Sequence, residues 1–161
     1  MLEGRNLWEL VEARAGASPD AVMTVDESGQ TVTFGEYRAS TERVAAGLAA
    51  EGVGEGDVVS WVLPTWHGSL VLIAALCRLG AIQNPIIQIY REREVGFAIR
   101  QTQAELVLVP GTWRGFDYVA MVETIAEGLE RKPQILVAYD SLPEGDPSTL
   151  PPPPPIPDDP D

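Results

Sequence analysis

One cysteine, one histidine and one lysine occur among the 161 residues, namely Cys77, His67 and Lys132, and each scarcity closes off a class of chemistry. A single thiol cannot build an intramolecular disulfide framework and fits a reducing compartment, so a cytoplasmic protein is expected. One imidazole and one thiol cannot close a tetrahedral zinc site without carboxylates, so no metal ligand is assigned. Cations as a group are scarce too: eleven Lys and Arg face twenty-four Asp and Glu, a formal net charge of −13. That field repels nucleic acid and anionic membrane surfaces, and neither is expected as a partner. Long apolar runs are also missing. The longest, Leu70 to Leu76, is far short of the ~20 residues that span a bilayer, and Met1 to Asn6 lacks a signal-peptide pattern.

What the chain does have is a glycine-rich turn, Gly52-Val53-Gly54-Glu55-Gly56-Asp57, feeding an apolar strand that starts at Val58 and runs to Pro64. A strand apolar at nearly every position needs both faces covered, which is the condition of a central strand in a parallel sheet. Around it the patterns alternate. Asn6 with Glu9 three positions on caps a first helix carrying Leu7, Trp8, Leu10 and Val11. Residues 21–25 and 31–33 flank the polar loop Asp26 to Gln30, predicting a β-hairpin. Thr33 and Glu36 match a capping box, with Val32 and Tyr37 as its hydrophobic staple, so a helix starts there and buries Tyr37, Thr41, Val44, Ala45 and Leu48.

After the central strand, His67 to Leu79 is helical and apolar almost all round, with Cys77 expected as a buried packing residue. Further strands are expected at residues 81–87, 105–109 and 134–138, separated by helices at 92–102 and from Asp117 onward. Four strands alternating with helices point to stacked βαβ units. The expected fold is therefore α/β, a three-layer αβα arrangement with a mainly parallel sheet plus an N-terminal β-hairpin. Residues 1–140 form the domain. Residues 141–161, with Pro151 to Pro155 at their centre, are expected as a proline-rich linker in which nothing packs.

Motifs for chemistry are few. The glycines at 52, 54 and 56 follow a helix and precede a strand, the reverse of a dinucleotide fingerprint, so they form a connection and not a phosphate cradle. Asp57 is placed as a turn residue. His67 follows Pro64-Thr65-Trp66 and would stand at the carboxyl end of the central strand, where open α/β sheets bind ligands. Trp66 and His67 are thus the candidate substrate-binding residues, while no catalytic and no cofactor-binding residue is assigned. Trp61, Trp66 and Trp113 fit core or interface volume better than a stacking platform.

In order along the chain stand Thr33-Phe34-Gly35-Glu36-Tyr37, Leu48, Gly52-Val53, Gly56-Asp57-Val58-Val59, Leu63-Pro64, Leu79-Gly80-Ala81, Asn84-Pro85-Ile86 and Glu94. In their order and spacing, these closely resemble the opening of adenylate-forming acyl-CoA synthetases. Trp113-Arg114-Gly115-Phe116-Asp117-Tyr118 is similar more particularly to cyclohexanecarboxylate-CoA ligases and related carboxylate-CoA ligases. Thr65 departs from the Asn often found there. The resemblance implies the large N-terminal domain of that family. It also implies a two-step reaction in which a carboxylate and ATP give an acyl-adenylate, and coenzyme A then displaces AMP, with Mg2+ shielding the phosphates.

The family's phosphate loop, adenosine motifs and catalytic lysine have no counterpart in these residues. The chain is therefore expected to be an N-terminal fragment, inactive alone, prone to self-association and partnered by the rest of the full-length chain. The alternative from the residues alone is a stand-alone flavodoxin-like binding or signalling module, which the βαβ alternation fits equally. A third possibility is that Pro151 to Pro155 docks into an aromatic groove of a partner.

Overall fold

The structure, a computed structural model, describes residues 4–156. These divide into two compact units. One comprises the residues up to Glu55, Trp66–Gly80 and those from Pro143 on, and the other comprises Gly56–Thr65 with Ala81–Leu142.

The first unit is helical with a hairpin. Helix α1 (Leu7–Ala17) is capped by Asn6, whose side chain accepts the Glu9 N–H at 2.9 Å. It buries Trp8, Val11 and Ala15. The apolar stripe is thus narrower than expected, because Leu7 and Leu10 lie 39% exposed. Strands β1 (Val22–Val25) and β2 (Thr31–Thr33) pair antiparallel, and the Asp26 carboxylate organises their loop by accepting the Ser28 and Gln30 N–H groups.

Helix α2 (Phe34–Ala50) then starts at a complete capping box. Glu36 N–H donates to Thr33 Oγ1 at 3.2 Å and Thr33 N–H donates to Glu36 Oε2 at 2.8 Å. These two bonds satisfy two of the four donors that a helix start leaves open. Thr33→Ala should therefore cost about 1 kcal/mol in denaturant titration, with an unchanged m-value. All five residues expected on the buried stripe of α2 are buried, together with Ala46 and Gly47.

Helix α3 (His67–Leu79) is apolar almost all round, as expected, but not buried all round. Val71, Leu72, Ala74, Ala75, Leu76 and Leu79 are buried, whereas Leu70, Ile73 and Cys77 are half-buried. Cys77 is a free thiol of intermediate exposure, a correction to its expected full burial. An all-apolar helix has no polar stripe from which to read its orientation, and that is why the exposure of Cys77 was not legible.

The second unit holds the sheet. Strands β3 (Val58–Trp61), β4 (Ile82–Pro85), β5 (Leu106–Val109) and β8 (Gln134–Val137) are all parallel, in the spatial order β4-β3-β5-β8. The apolar run at 58–61 is thus an interior strand, as its lack of alternation required. Strand β5 is buried along its whole length. Helices α4 (Glu92–Thr102) and α5 (Tyr118–Glu127) contribute Val95, Ile99, Tyr118, Met121, Val122 and Ile125 to a core shared with Val62, Val107 and Val109. The α/β class, the parallel sheet and the N-terminal hairpin are all present.

Two features were not anticipated. Strands β6 (Thr112–Trp113) and β7 (Phe116–Asp117) make a second small hairpin, turned by Arg114 and Gly115 at φ 50° and 76°. Two consecutive positive φ values define the turn that matches strand twist, and Gly115 supplies one without strain. The other feature is the segment after Pro143, which does not behave as an unpacked linker. Arg43 Nε meets Glu144 at 3.2 Å, Gly145 N–H donates to the Arg43 carbonyl at 2.9 Å, and Arg78 donates to the Pro151 carbonyl. A 3-10 turn, Pro147–Thr149, is capped by Asp146.

Candidate functional site

Trp66 and His67 open α3, and the local geometry turns them apart. Trp66 is the N-cap in extended conformation, and its N–H donates to Ser69 Oγ at 3.1 Å while Ser69 Oγ donates back to the Trp66 carbonyl at 2.7 Å. Its indole folds over Gly68, where a Cβ would collide with the ring. His67 turns toward the hairpin and α2 instead. Its Nδ1 lies 3.4 Å from Thr24 Oγ1, and its ring stands edge-on to Tyr37 with centroids 6.3 Å apart. A recess of about 340 Å³ holds His67 with Val32, Glu36, Ala39 and Arg43. A general base needs a nucleophile to activate and a third group to orient it, and a threonine hydroxyl is a poor substitute for either. The imidazole serves here as a tie between hairpin and helix.

Tyr37 anchors the same corner. It is 3% exposed and its hydroxyl donates to the Leu70 carbonyl at 2.8 Å. Burial pushes its pKa up to about 12, with a smaller contribution from Cys77. The folded state therefore holds a proton that the unfolded chain releases near the ordinary tyrosine value of 10, so stability falls between pH 10 and about 12. Tyr37→Phe should flatten that alkaline loss. At neutral pH the same change should cost about 1 kcal/mol for the missing hydrogen bond. Chemical denaturation at pH 8 and pH 11 checks both.

The sheet topology marks a second place. Counting the four parallel strands in chain order, their spatial order is 2-1-3-4, and the direction of winding reverses between β3 and β5. In open α/β sheets ligands sit outside the carboxyl ends of the strands at such a reversal. Here the chain leaves β3 through Val62 and Leu63, which are 0% and 3% exposed, and leaves β5 through Pro110 and Gly111. None of these four exit residues carries an ionisable side chain.

The polar architecture at this end of the sheet lies to one side. Arg91 stacks 4.1 Å from the Phe116 ring centroid and donates to the Gln88 and Tyr90 carbonyls at 2.9 and 2.7 Å. Tyr118 Oη donates to the same Gln88 carbonyl at 2.7 Å. Loop 86–91 is therefore pinned to β7 by one guanidinium and to the start of α5 by one phenol. Sequence reasoning passed over Arg91. Its signal, an arginine a helix away from two ring residues, becomes readable only when the hairpin is known.

These residues do not fit a nucleotide triphosphate or its metal. Among the described residues no group of three His, Cys, Asp or Glu side chains could hold a metal ion. The first turn of α4 carries Glu92 and Glu94, which disfavour a phosphate at that helix start. No step of ATP chemistry is assigned to residues of this chain.

Comparison with known proteins places the geometry. The chain is 26% identical over 137 residues to a medium-chain fatty-acid–CoA ligase of Escherichia coli (strain K12), covering 85% of this chain and 24% of that one. It is 29% identical over 136 residues to a 2-hydroxy-7-methoxy-5-methyl-1-naphthoate–CoA ligase of Streptomyces carzinostaticus, covering 84% and 24%. Among solved structures, o-succinylbenzoate coenzyme A synthetase from Bacillus subtilis, in complex with ATP and magnesium ion, superposes with a TM-score of 0.66 at 22% identity. That match covers 80% of this chain and 32% of that chain and shows a common fold. The chain thus spans about a quarter of the length of the curated relatives it matches. The AMP-binding enzyme profile matches residues 11–161, nearly the whole sequence, and the chain belongs to that family.

Proposed function

We propose that residues 1–140 are the N-terminal part of the adenylate-forming domain of an ATP-dependent carboxylic acid–CoA ligase. The single observation that carries this is the family match from residue 11 onward, joined to relatives named as CoA ligases for a fatty acid and for a naphthoate. The full-length enzyme would form an acyl-adenylate and then a coenzyme A thioester, using ATP, Mg2+ and coenzyme A. The 161-residue chain alone would do neither, because among the described residues no group of three His, Cys, Asp or Glu side chains could hold the metal and α4 opens on Glu92 and Glu94. The substrate class is a small carboxylic acid, and the 113–118 stretch favours the cyclohexanecarboxylate-like branch. A cytoplasmic setting suits a lone half-buried thiol, and among the described residues no helix is long and apolar enough to cross a membrane. The test is the full-length reading frame that carries these residues. Its product should show carboxylate-dependent ATP–pyrophosphate exchange, and a product with no exchange against aliphatic, alicyclic and aromatic acids would overturn the reading.

The partner proposed for this chain is the remainder of the full-length enzyme. What supports it is apolar surface at the open edge of the sheet. β4 pairs with β3 on one side only, Ile82 on it is 56% exposed, and the neighbouring Ile87, Ile89 and Phe97 are 56%, 72% and 63% exposed. Exposed apolar surface on an edge strand invites association. The chain in isolation should therefore self-associate.

A further inference from the structure

The proline-rich segment carries more fixed contacts than a spacer needs. Polyproline backbone leaves its carbonyls unpaired, so a segment that merely links domains would turn them to water. Here three arginines reach it. Arg43 pairs with Glu144 at 3.2 Å, Arg78 donates to the Pro151 carbonyl, and Arg5 donates to the Ile156 carbonyl at 3.4 Å. They stand on α2, on the last turn of α3 and just before α1 respectively.

Close backbone approach supports the same reading. A Cβ on Gly47, buried in the interior of α2, would collide with the Pro143 carbonyl. Facing it, a Cβ on Gly145 would come within 2.8 Å of the Ala46 carbonyl carbon and 2.9 Å of the Gly47 nitrogen. Two chains approach so closely only where both lack side chains, and the Gly145 N–H uses that proximity to donate to the Arg43 carbonyl. Farther along, Pro154 seats on Gly80, where a Cβ would meet its Cγ at 2.7 Å.

Arg78 itself is an unusual choice for a helix face. It is 7% exposed and stacks 5.7 Å from the Trp8 ring centroid. Burial lowers its pKa, and Glu12 and Glu42 oppose that shift. A buried guanidinium is costly unless it is paired and hydrogen-bonded, and the Pro151 carbonyl is the acceptor it has.

We propose that helices α1, α2 and α3 present a receptor groove for an extended proline-rich chain, and that residues 143–156 occupy it as an intramolecular strap seated on the Gly47–Gly145 contact and clasped by Arg78. The occupant is this chain's own segment. The strap is one unit, so releasing it at either point releases the other.

Gly47→Ala tests the seat through its sign. On a free helix surface the change would raise the folded-to-unfolded ratio about five-fold, because alanine is the better helix former. Under a seated strap it should lower that ratio by about five-fold or more, because backbone must move aside. A rise overturns the proposal. Hydrogen exchange of the Gly145 amide in the unmodified 161-residue chain is independent of any folding defect. Exchange about tenfold or more slower than in an unstructured peptide is expected from its bond to the Arg43 carbonyl, and exchange at the peptide rate overturns the strap. The clasp is tested by coupling. Arg78→Met and Gly47→Ala together should cost no more than the worse single change, whereas simple additivity would show two unrelated sites and overturn the single unit.

Discussion

Leu76→Asp is expected to abolish cooperative folding at room temperature or to lower the midpoint of thermal unfolding severely. Leu76 is 0% exposed in a helix whose neighbours Leu72, Ala74 and Ala75 are also 0% exposed, so no rotamer carries a carboxylate to water. The one arginine on this helix, Arg78, is already engaged: it donates to the Pro151 carbonyl and lies over Trp8. An unpaired buried charge costs several kcal/mol even after its pKa shifts, and the whole stability of a domain is ~5–15 kcal/mol. Leu76→Met, which keeps the volume, should cost less than about 1.5 kcal/mol. Unfolding of the Asp variant indistinguishable from the original chain would contradict the burial of this face.

The second large effect concerns association. Ile89 and Phe97 are the most exposed large apolar side chains among the described residues, and Tyr90 beside them is 42% exposed. A groove of about 810 Å³ runs between Tyr90, Phe97 and the end of β4, lined also by Pro85, Ile87, Arg93 and Ala98. Soluble monomers seldom leave contiguous apolar patches beyond ~300–600 Å² in water, and a net charge of −13 opposes but does not remove that drive. Sedimentation of the 161-residue chain should show a dimer or larger species, and Ile89→Glu combined with Phe97→Glu should return it to a monomer. A clean monomer of the unmodified chain would remove the exposed-interface argument. An assembly unaffected by the double change would move the interface elsewhere.

Local signals were the legible part of the sequence. The capping box at Thr33 and Glu36 is written within four residues and is made as read, and the helix expected from Asp117 onward starts there, with the Asp117 side chain as its cap. Strand β3 was legible because its apolar run admits only a two-sided burial. The β6–β7 hairpin was missed because its whole signal is Arg114-Gly115, and arginine is not among the residues that usually announce a turn with two positive φ values.

Long-range partnerships were illegible for a different reason. A run such as Pro151 to Pro155 has the same local conformation whether it is free or docked, so composition cannot tell a spacer from a strap. What distinguishes them are Arg78 and Gly47, far away on other elements and each unremarkable in its own stretch. The candidate pair Trp66 and His67 shows the same limit. Adjacent in sequence, they were taken together, but one ring folds onto Gly68 and the other faces Thr24 and Tyr37. The functional reading rested on resemblance throughout, because the four-stranded 2-1-3-4 order by itself fits a flavodoxin-like module equally.

ATP–pyrophosphate exchange, measured with the 161-residue chain and with the full-length reading frame side by side against the same panel of carboxylic acids, tests the central claim most directly. Among the described residues no group of three His, Cys, Asp or Glu side chains could hold a metal ion, and the first turn of α4 carries Glu92 and Glu94, so the stabilisation of charge on the α-phosphoryl is assigned to residues outside this chain. The expected result is exchange by the full-length product with at least one acid and none above background by the 161-residue chain. Exchange by the 161-residue chain alone would contradict the assignment of the chemistry to residues outside it, and silence from both would contradict the ligase reading itself.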